Sequence, residues 1–335
     1  AVFLGALSTA IYALSGSFWP LLSGRLLWGL AWAGLWISGN AIVLDVSPEH
    51  RRGRSVGIYF VSFYLGAATG SILGGALTDW LGYHRAMGIA AGLSVTGAMV
   101  ALLLLPETST FSRDSLSSSS EHAITTVRRQ TGVTDWRQLF SATSLLGVNR
   151  FVMAGVFIGT FGLFLSQILG AKVSVFGRLV GVTTITGLGI GLSTVLGLLA
   201  APAAGGLSDR IQSRWRVVSG GLATGITGFS LLAIGAPMSI LIGLPLVSIA
   251  SGGNQGLSTT LVGDLSPQRR QGRRLGLLYT VGDFASAIGP PLAYALIPLI
   301  GISSLYWMSA GLFGLMLVVA LWWTARNRRL TRALR

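Results

Sequence analysis

Ten residues, Asp45-Val-Ser-Pro-Glu-His-Arg-Arg-Gly-Arg54, return 219 residues later as Asp264-Leu-Ser-Pro-Gln-Arg-Arg-Gln-Gly-Arg273, with six positions identical. Each copy lies between long apolar runs. The same offset carries Gly66, Gly70 and Gly74 onto Ala285, Gly289 and Ala293. Self-similarity at a fixed offset marks a duplicated unit and is settled before any local reading. Any fold open to this chain must contain the unit twice, with the same internal order.

A helix needs about 20 apolar residues to cross the hydrocarbon of a bilayer. Ten segments qualify: 1–15, 19–44, 55–79, 84–105, 150–171, 179–204, 215–236, 238–263, 275–300 and 303–324. Mean hydropathy is +0.69 and 10% of residues are charged, against about 25% in soluble domains. The expectation is an all-α membrane protein of two pseudo-symmetric helix bundles, with about ten transmembrane helices. The runs are too long, and lack the alternation, for a membrane barrel. The first bundle is expected over 1–105, a central cytoplasmic loop over 106–149, the second bundle over 150–325 and a basic cytoplasmic tail over 326–335. The loop carries Ser115 and Ser117 to Ser120, a flexible and polar composition. Within it Trp136, Leu139 and Phe140 share a helical face, so that piece either lies on the membrane surface or belongs to a plain tether. The chain opens on Ala inside an apolar run, without an initiator Met or a basic leader. Residue 1 is therefore expected to be a truncation point, and no signal peptide is expected.

A net charge of +14 invites a nucleic-acid reading, but the placement of the charges argues against it. Arg51, Arg52 and Arg54 follow the second segment. Arg113, Arg128, Arg129, Arg137 and Arg150 follow the fourth. Arg210, Arg214 and Arg216 follow the sixth, Arg269, Arg270, Arg273 and Arg274 the eighth, and Arg326, Arg328, Arg329, Arg332 and Arg335 the tenth. Only Arg25, Arg85, Lys172 and Arg178 fall elsewhere. That asymmetry is the positive-inside signal. It puts the arginine-rich side and the C-terminus in the cytoplasm, across a cell membrane (inner or plasma), and explains the basicity without nucleic acid. There is no cysteine, and His50, His84 and His122 are scattered, so no metal site is expected. No phosphate loop follows a strand, and no nucleophile–base set is visible. Neither an enzyme nor a bound cofactor is expected; a proton or ion gradient would supply the drive. Gly187, Gly189 and Gly191 imitate a dinucleotide loop in spacing alone, since they lie inside an apolar run.

At this point the sequence resembles the major facilitator superfamily. Residues 24–36, GRLLWGLAWAGLW, resemble the family's fourth-span pattern. Residues 66–75, GAATGSILGG, are similar to its fifth-span antiporter pattern, with Ser71 in place of proline. Residues 205–216, GGLSDRIQSRWR, resemble its loop signature, with Gln212 where the family prefers glycine. The ten segments correspond to the family's third through twelfth spans. The resemblance implies a secondary transporter working by alternating access, acting as a monomer in the lipid bilayer on a small-molecule substrate. The expected activity is proton-coupled efflux of small organic or drug-like compounds. Two alternatives stand beside it. One is a uniporter or symporter for a sugar or organic anion. The other is a non-transporting receptor or assembly partner that keeps the fold.

The substrate or proton pathway is expected to involve Arg25, Trp28, Trp32, Trp36, Asn40, Asn254, Gln255 and Asp283. A charge inside a span costs at least about 2.5–3.5 kcal/mol, so Arg25 faces protein or water. At 100° per residue Trp32 and Trp36 sit close to its direction, with Trp28 and Asn40 flanking. Either this stripe lines a cavity, or Arg25 snorkels at the outer interface with the tryptophans packed. Asp283 is the one carboxylate well inside a span, and either carries a proton or bonds to Ser286 or Tyr279. Asn254 and Gln255 bind substrate or join helices. Asp45, Arg51, Arg54, Asp209, Arg210, Asp264, Arg270 and Arg273 crowd the cytoplasmic helix ends, as a latch that breaks when the halves rock or as topology anchors. Gly66, Gly70, Gly74 and Gly289 permit close helix approach, and Pro290 bends its helix. These residues form a pivot or a static contact.

Overall fold

The computed structural model of the chain describes residues 1–48, 51–104, 136–175, 177–267 and 271–333; the expected latch residue Arg270 lies outside them. The chain divides into two compact units, Ala1–Arg129 and Gln130–Arg335. In the first, α1 (Val2–Leu14), α2 (Phe18–Val46), α3 (Arg52–Leu81) and α4 (Tyr83–Leu104) follow one another. In the second, α5 (Trp136–Arg150) runs through a π-helical segment (Phe151–Phe157) into α6 (Ile158–Leu169). A hairpin of β1 (Lys172–Val175) and β2 (Arg178–Gly181) leads to α7 (Val182–Ile211), α8 (Arg214–Ile234), α9 (Pro237–Asp264), α10 (Gln271–Ile300) and α11 (Ile302–Ala333). Nine helical stretches among the described residues are long and apolar enough to cross a membrane, and Val2–Leu14 is a shorter apolar helix. The protein is a multi-pass all-α membrane protein.

The sequence repeat is obeyed by the helix boundaries. Helices α3 and α10 begin and end at positions 219 residues apart, and α2 with α9 and α4 with α11 begin so. The outer turns are copied too. Gly82 and Gly301 close α3 and α10 with φ of 83° and 77°. That is the left-handed region open to glycine. Each donates its N–H to the carbonyl four residues back, Thr78 and Ile297, at 2.9 Å. The packing order repeats as well: α1 lies against α2 and α4, as α8 lies against α9 and α11.

Each unit is packed to a different depth. Helix α9 is flanked by α5, α7 and α8, and half of its apolar window is buried; its counterpart α2, flanked by α1 and α3, has 6% buried. In lipid, helices associate by close packing rather than by hydrophobic expulsion. The second unit achieves this with a sealed aromatic cluster of Phe157, Phe161, Phe164, Phe229, Tyr306 and Phe313. Phe229 meets Phe313 edge-on at 5.6 Å and Phe164 meets Tyr306 at 4.8 Å. Each such pair contributes about 0.5–1.5 kcal/mol beyond its area.

Two expected boundaries move. The span placed at 150–171 begins instead at Trp136, so the central loop does not extend to 149. Leu139, Ala142, Leu145, Leu146 and Asn149 recur at helical spacing and form a buried stripe. Leu139 is therefore core rather than membrane-surface contact, although Trp136 and Phe140 are exposed. Arg137, Gln138, Ser141 and Asn149 dilute the apolar signal of a helix that nevertheless continues unbroken. The span placed at 179–204 starts at Val182, after a hairpin in which Val173 pairs with Val180.

Candidate functional site

Moving the start of α5 changes the meaning of Arg150. Counted with the cytoplasmic arginines in the sequence, it lies near the middle of the Trp136–Leu169 span. At 1.5 Å per residue it is about 20 Å from the first residue of that helix. Its Cγ packs where a Cβ on Gly282 of α10 would stand, 3.3 Å away. Its Nε is sealed from solvent and has no hydrogen-bond partner. Neighbouring Asn149 is buried and donates through Nδ2 to the carbonyl and hydroxyl oxygens of Ser251 on α9, both at 3.2 Å, while its Oδ1 has no partner.

Other polar groups gather at this depth. Ser251 is central in α9, and Gly282 and Asp283 are near the centre of α10. Asp283 is exposed and makes no ion pair among the described residues. Neither expected partner holds its carboxylate. Ser286 Oγ donates to the Asp283 backbone carbonyl at 2.8 Å, and the Tyr279 hydroxyl meets Thr259 Oγ1 of α9 at 3.3 Å. Asn254 is fully buried against Gly221 of α8, and neither polar atom of its side chain has a partner. Gln255 is half-buried. Among these residues, Asn149, Arg150 and Asn254 thus carry buried polar atoms that no described residue satisfies.

The first unit presents rings. Trp32 and Trp36 stack at 5.6 Å. Trp32 meets Phe63 of α3 at 5.3 Å, and Trp36 meets Phe60 at 5.4 Å. Trp28 continues the row at 6.4 Å from Trp32 and packs on Gly5 of α1. The stripe thus serves as the α2–α3 contact, with Trp32 38% exposed. Asn40 donates to the Trp36 carbonyl of its own helix at 2.7 Å. Arg25 is exposed and stacks on none of these rings.

At the helix ends the ion-pair centre is Arg214, a residue outside the expected set. Its Nη1 bonds Asp209 at 2.5 Å, its Nε bonds Asp264 at 3.1 Å, and Ser208 Oγ accepts at 2.6 Å. Standing first in α8, it ties the ends of α7 and α9 within one unit. Arg210 and Arg273 are exposed and make no ion pair among the described side chains. The same holds of Asp45, Arg51 and Arg54.

The glycines divide as well. A Cβ on Gly155 of the π segment would stand 2.8 Å from Gly289 Cα, and Gly159 faces Pro290 at 3.4 Å. Gly66, Gly70 and Gly74 have no atom within 4 Å of that position, so the close approach expected of them is not found in the first unit. In the π segment the Ile158 N–H reaches the Met153 carbonyl, five residues back. Such wide turns occur mostly as single bulges, frequently at functional sites.

The sequence pattern of the Major Facilitator Superfamily matches residues 1–244 and again 182–335, which together run the length of the chain. The protein belongs to the Major Facilitator Superfamily. An uncharacterized MFS-type transporter of Yersinia pseudotuberculosis serotype O:3 (strain YPIII) is 29% identical over 184 residues, 52% of this chain and 42% of that protein. The inner membrane transport protein YajR of Escherichia coli (strain K12) is 32% identical over 105 residues, 31% of this chain and 23% of that protein. The chain thus spans less than half the length of these curated relatives. The fold is also that of a bacterial homolog of the human lysosomal transporter Spinster, in an inward-facing and occupied conformation, with a TM-score of 0.71. Identity there is 16%, covering 98% of this chain and 81% of the other. In this major facilitator, sequence reasoning missed Arg150, Asn149 and Arg214. Asn149 and Arg150 carried a signal, because they continue the periodic stripe that starts at Leu139. Arg214 carried none beyond its place in the loop pattern.

Proposed function

We propose that this major facilitator is a secondary transporter that exports small organic, drug-like compounds in exchange for protons, by alternating access. The observation that carries the reading is Asp283, an exposed carboxylate near the middle of α10 with no ion pair among the described residues. Ionisable groups at that depth are expensive and mark ion or substrate paths. A carboxylate's affinity for a proton rises as water is withdrawn and falls as a cation approaches. Opening and closing of a site around it would therefore couple proton uptake to the cycle.

The unequal distribution of arginine supports a cytoplasmic C-terminus in a cell membrane. The Asp209–Arg214–Asp264 cluster supports a cytoplasmic-end latch acting within the second unit, with Gly289 and Pro290 as its pivot. The polar layer of α9 and α10 suits a substrate with a polar end.

The test uses the complete protein in proteoliposomes loaded with an organic dye. An imposed pH gradient is expected to drive dye flux, and Asp283→Asn to remove that dependence by about tenfold or more. Flux that ignores the gradient, or that Asp283→Asn leaves unchanged, refutes the coupling and favours a uniporter.

A further inference from the structure

We propose that Arg150 is the anchor for an anionic group of the solute, so that the compounds handled are organic acids bearing a carboxylate or phosphate. The inference rests on the reading of this protein as a transporter and adds the substrate class and the residue that selects it.

Three observations converge. First, Arg150 is half-buried at mid-span, and a guanidinium cannot shed its charge by losing a proton. Second, no carboxylate among the described residues neutralises it. Asp283 follows directly on Gly282, against which the Arg150 stem packs, yet the two form no ion pair. Third, two buried polar atoms of this turn, Arg150 Nε and Asn149 Oδ1, are without hydrogen-bond partners. A static structural arginine would be expected to come with its counter-ion. This one comes with an unused donor and with no carboxylate paired to it among the described residues.

The chemistry selects planar anions. The guanidinium offers a rigid fork of N–H donors that matches the two oxygens of a carboxylate or phosphate, and bonds of this kind are stronger than neutral ones. Asn149, the residue before Arg150, is held by Ser251 of α9. Arg150 also stands immediately before the π-helical segment. Its direction is therefore set at a point where the helix can change its turn. An α-to-π shift there would rotate Asn149 and Arg150 relative to Gly155, which is locked against Gly289.

The test is a binding measurement on the complete protein in detergent at neutral pH, which needs no flux. The probes are pairs that differ in charge alone: 4-phenylbutyrate with 4-phenylbutyramide, and 2-naphthoate with 2-naphthamide. At least one acid is expected to bind about tenfold or more tighter than its amide. Arg150→Gln is expected to abolish that preference, and Arg150→Lys to restore part of it. Equal binding of acids and amides, no binding by either acid, or a preference that survives Arg150→Gln overturns the proposal. If Arg150→Gln does not fold, the wild type answers alone. Phenylglyoxal modification of Arg150, followed by mass spectrometry, is expected to be slowed by the acid and not by the amide; any other pattern overturns the proposal. A protein that prefers acids yet moves no solute would sink the transport reading and leave this one standing. Transport without acid preference would do the reverse.

Discussion

Replacing Gly155 by alanine tests whether the second unit is locked at the π segment. The new Cβ would stand 2.8 Å from Gly289 Cα and 3.3 Å from the Ser286 carbonyl oxygen. Carbon atoms in contact prefer about 3.5–4.0 Å, so the helices must part by about 1 Å at their crossing. Overpacking of this kind costs about 1–3 kcal/mol. The obstructing atoms are backbone, which cannot rotate aside, so the upper end, about 3 kcal/mol, is expected here. Pro290 and Pro291 follow at once and remove the helical bonds that the Ser286 and Ala287 carbonyls would otherwise accept. The strain has a bend in which to spread, but no side chain to absorb it. The control is Gly70→Ala, where nothing lies within 4 Å. That change should be neutral or gain up to about 1 kcal/mol from helix propensity. Thermal unfolding of the detergent-solubilised protein reads the difference, at about 2–4 °C per kcal/mol for a unit of this size. If Gly155→Ala is no worse than Gly70→Ala, the contact is not tight and the lock does not exist. If Gly70→Ala is as damaging as Gly155→Ala, the open face of α3 packs against something and its glycines regain the role expected of them.

Two further changes act at the helix ends. Gln212 closes α7 with φ of 52°, the one non-glycine residue among those described with positive φ; that conformation costs an L-residue about 1–2 kcal/mol. Gln212→Gly should therefore raise stability by about 0.5–1 kcal/mol after the added freedom of the unfolded chain is deducted, and a lower unfolding temperature would contradict the strain. The Arg214 side chain is 26% exposed against partners at 68% and 55%, so both ion pairs are strongly screened and worth about 0.2–1 kcal/mol each. Arg214→Gln should cost about 1 kcal/mol at low salt and progressively less toward 1 M salt, where the screening length is about 3 Å; a loss indifferent to salt would mean that packing, not charge, holds the cluster.

The fold was legible because its signals are long and duplicated. Apolar runs gave the helices and the 219-residue offset gave their order, and the structure adds a repeat that was not read from the sequence, the glycine caps at Gly82 and Gly301. Legibility failed where a helix is polar. From Trp136 to Arg150 the residues that signal a loop (Arg137, Gln138, Ser141, Asn149, Arg150) alternate with a stripe that signals a helix, and hydropathy averages the stripe away. Asn149 and Arg150 were the hardest to read, since only the continuous helix from Trp136 shows that they lie within it rather than before it. The Trp28, Trp32 and Trp36 row was visible by angle, but not its partners, because Phe60 and Phe63 belong to another helix whose rotation no local pattern fixes.

The duplication also shows how the two units have diverged in chemistry while keeping one geometry. Shifted by 219 residues, Ser251, Gln255 and Thr259 of α9 fall on Trp32, Trp36 and Asn40 of α2. Tyr279, Gly282 and Asp283 of α10 fall on Phe60, Phe63 and Tyr64 of α3. The α9–α10 crossing, where Thr259 meets Tyr279, is therefore the counterpart of the α2–α3 crossing, where Trp36 meets Phe60. One face has become hydrogen-bonding and charged, the other aromatic. Packing alone gives no reason for the difference, since aromatic rings fill the crossing in one unit and polar groups fill it at greater cost in the other. The proposed role of Asp283 in proton coupling does give a reason, since that role needs a carboxylate on this face of the second unit and none on the first.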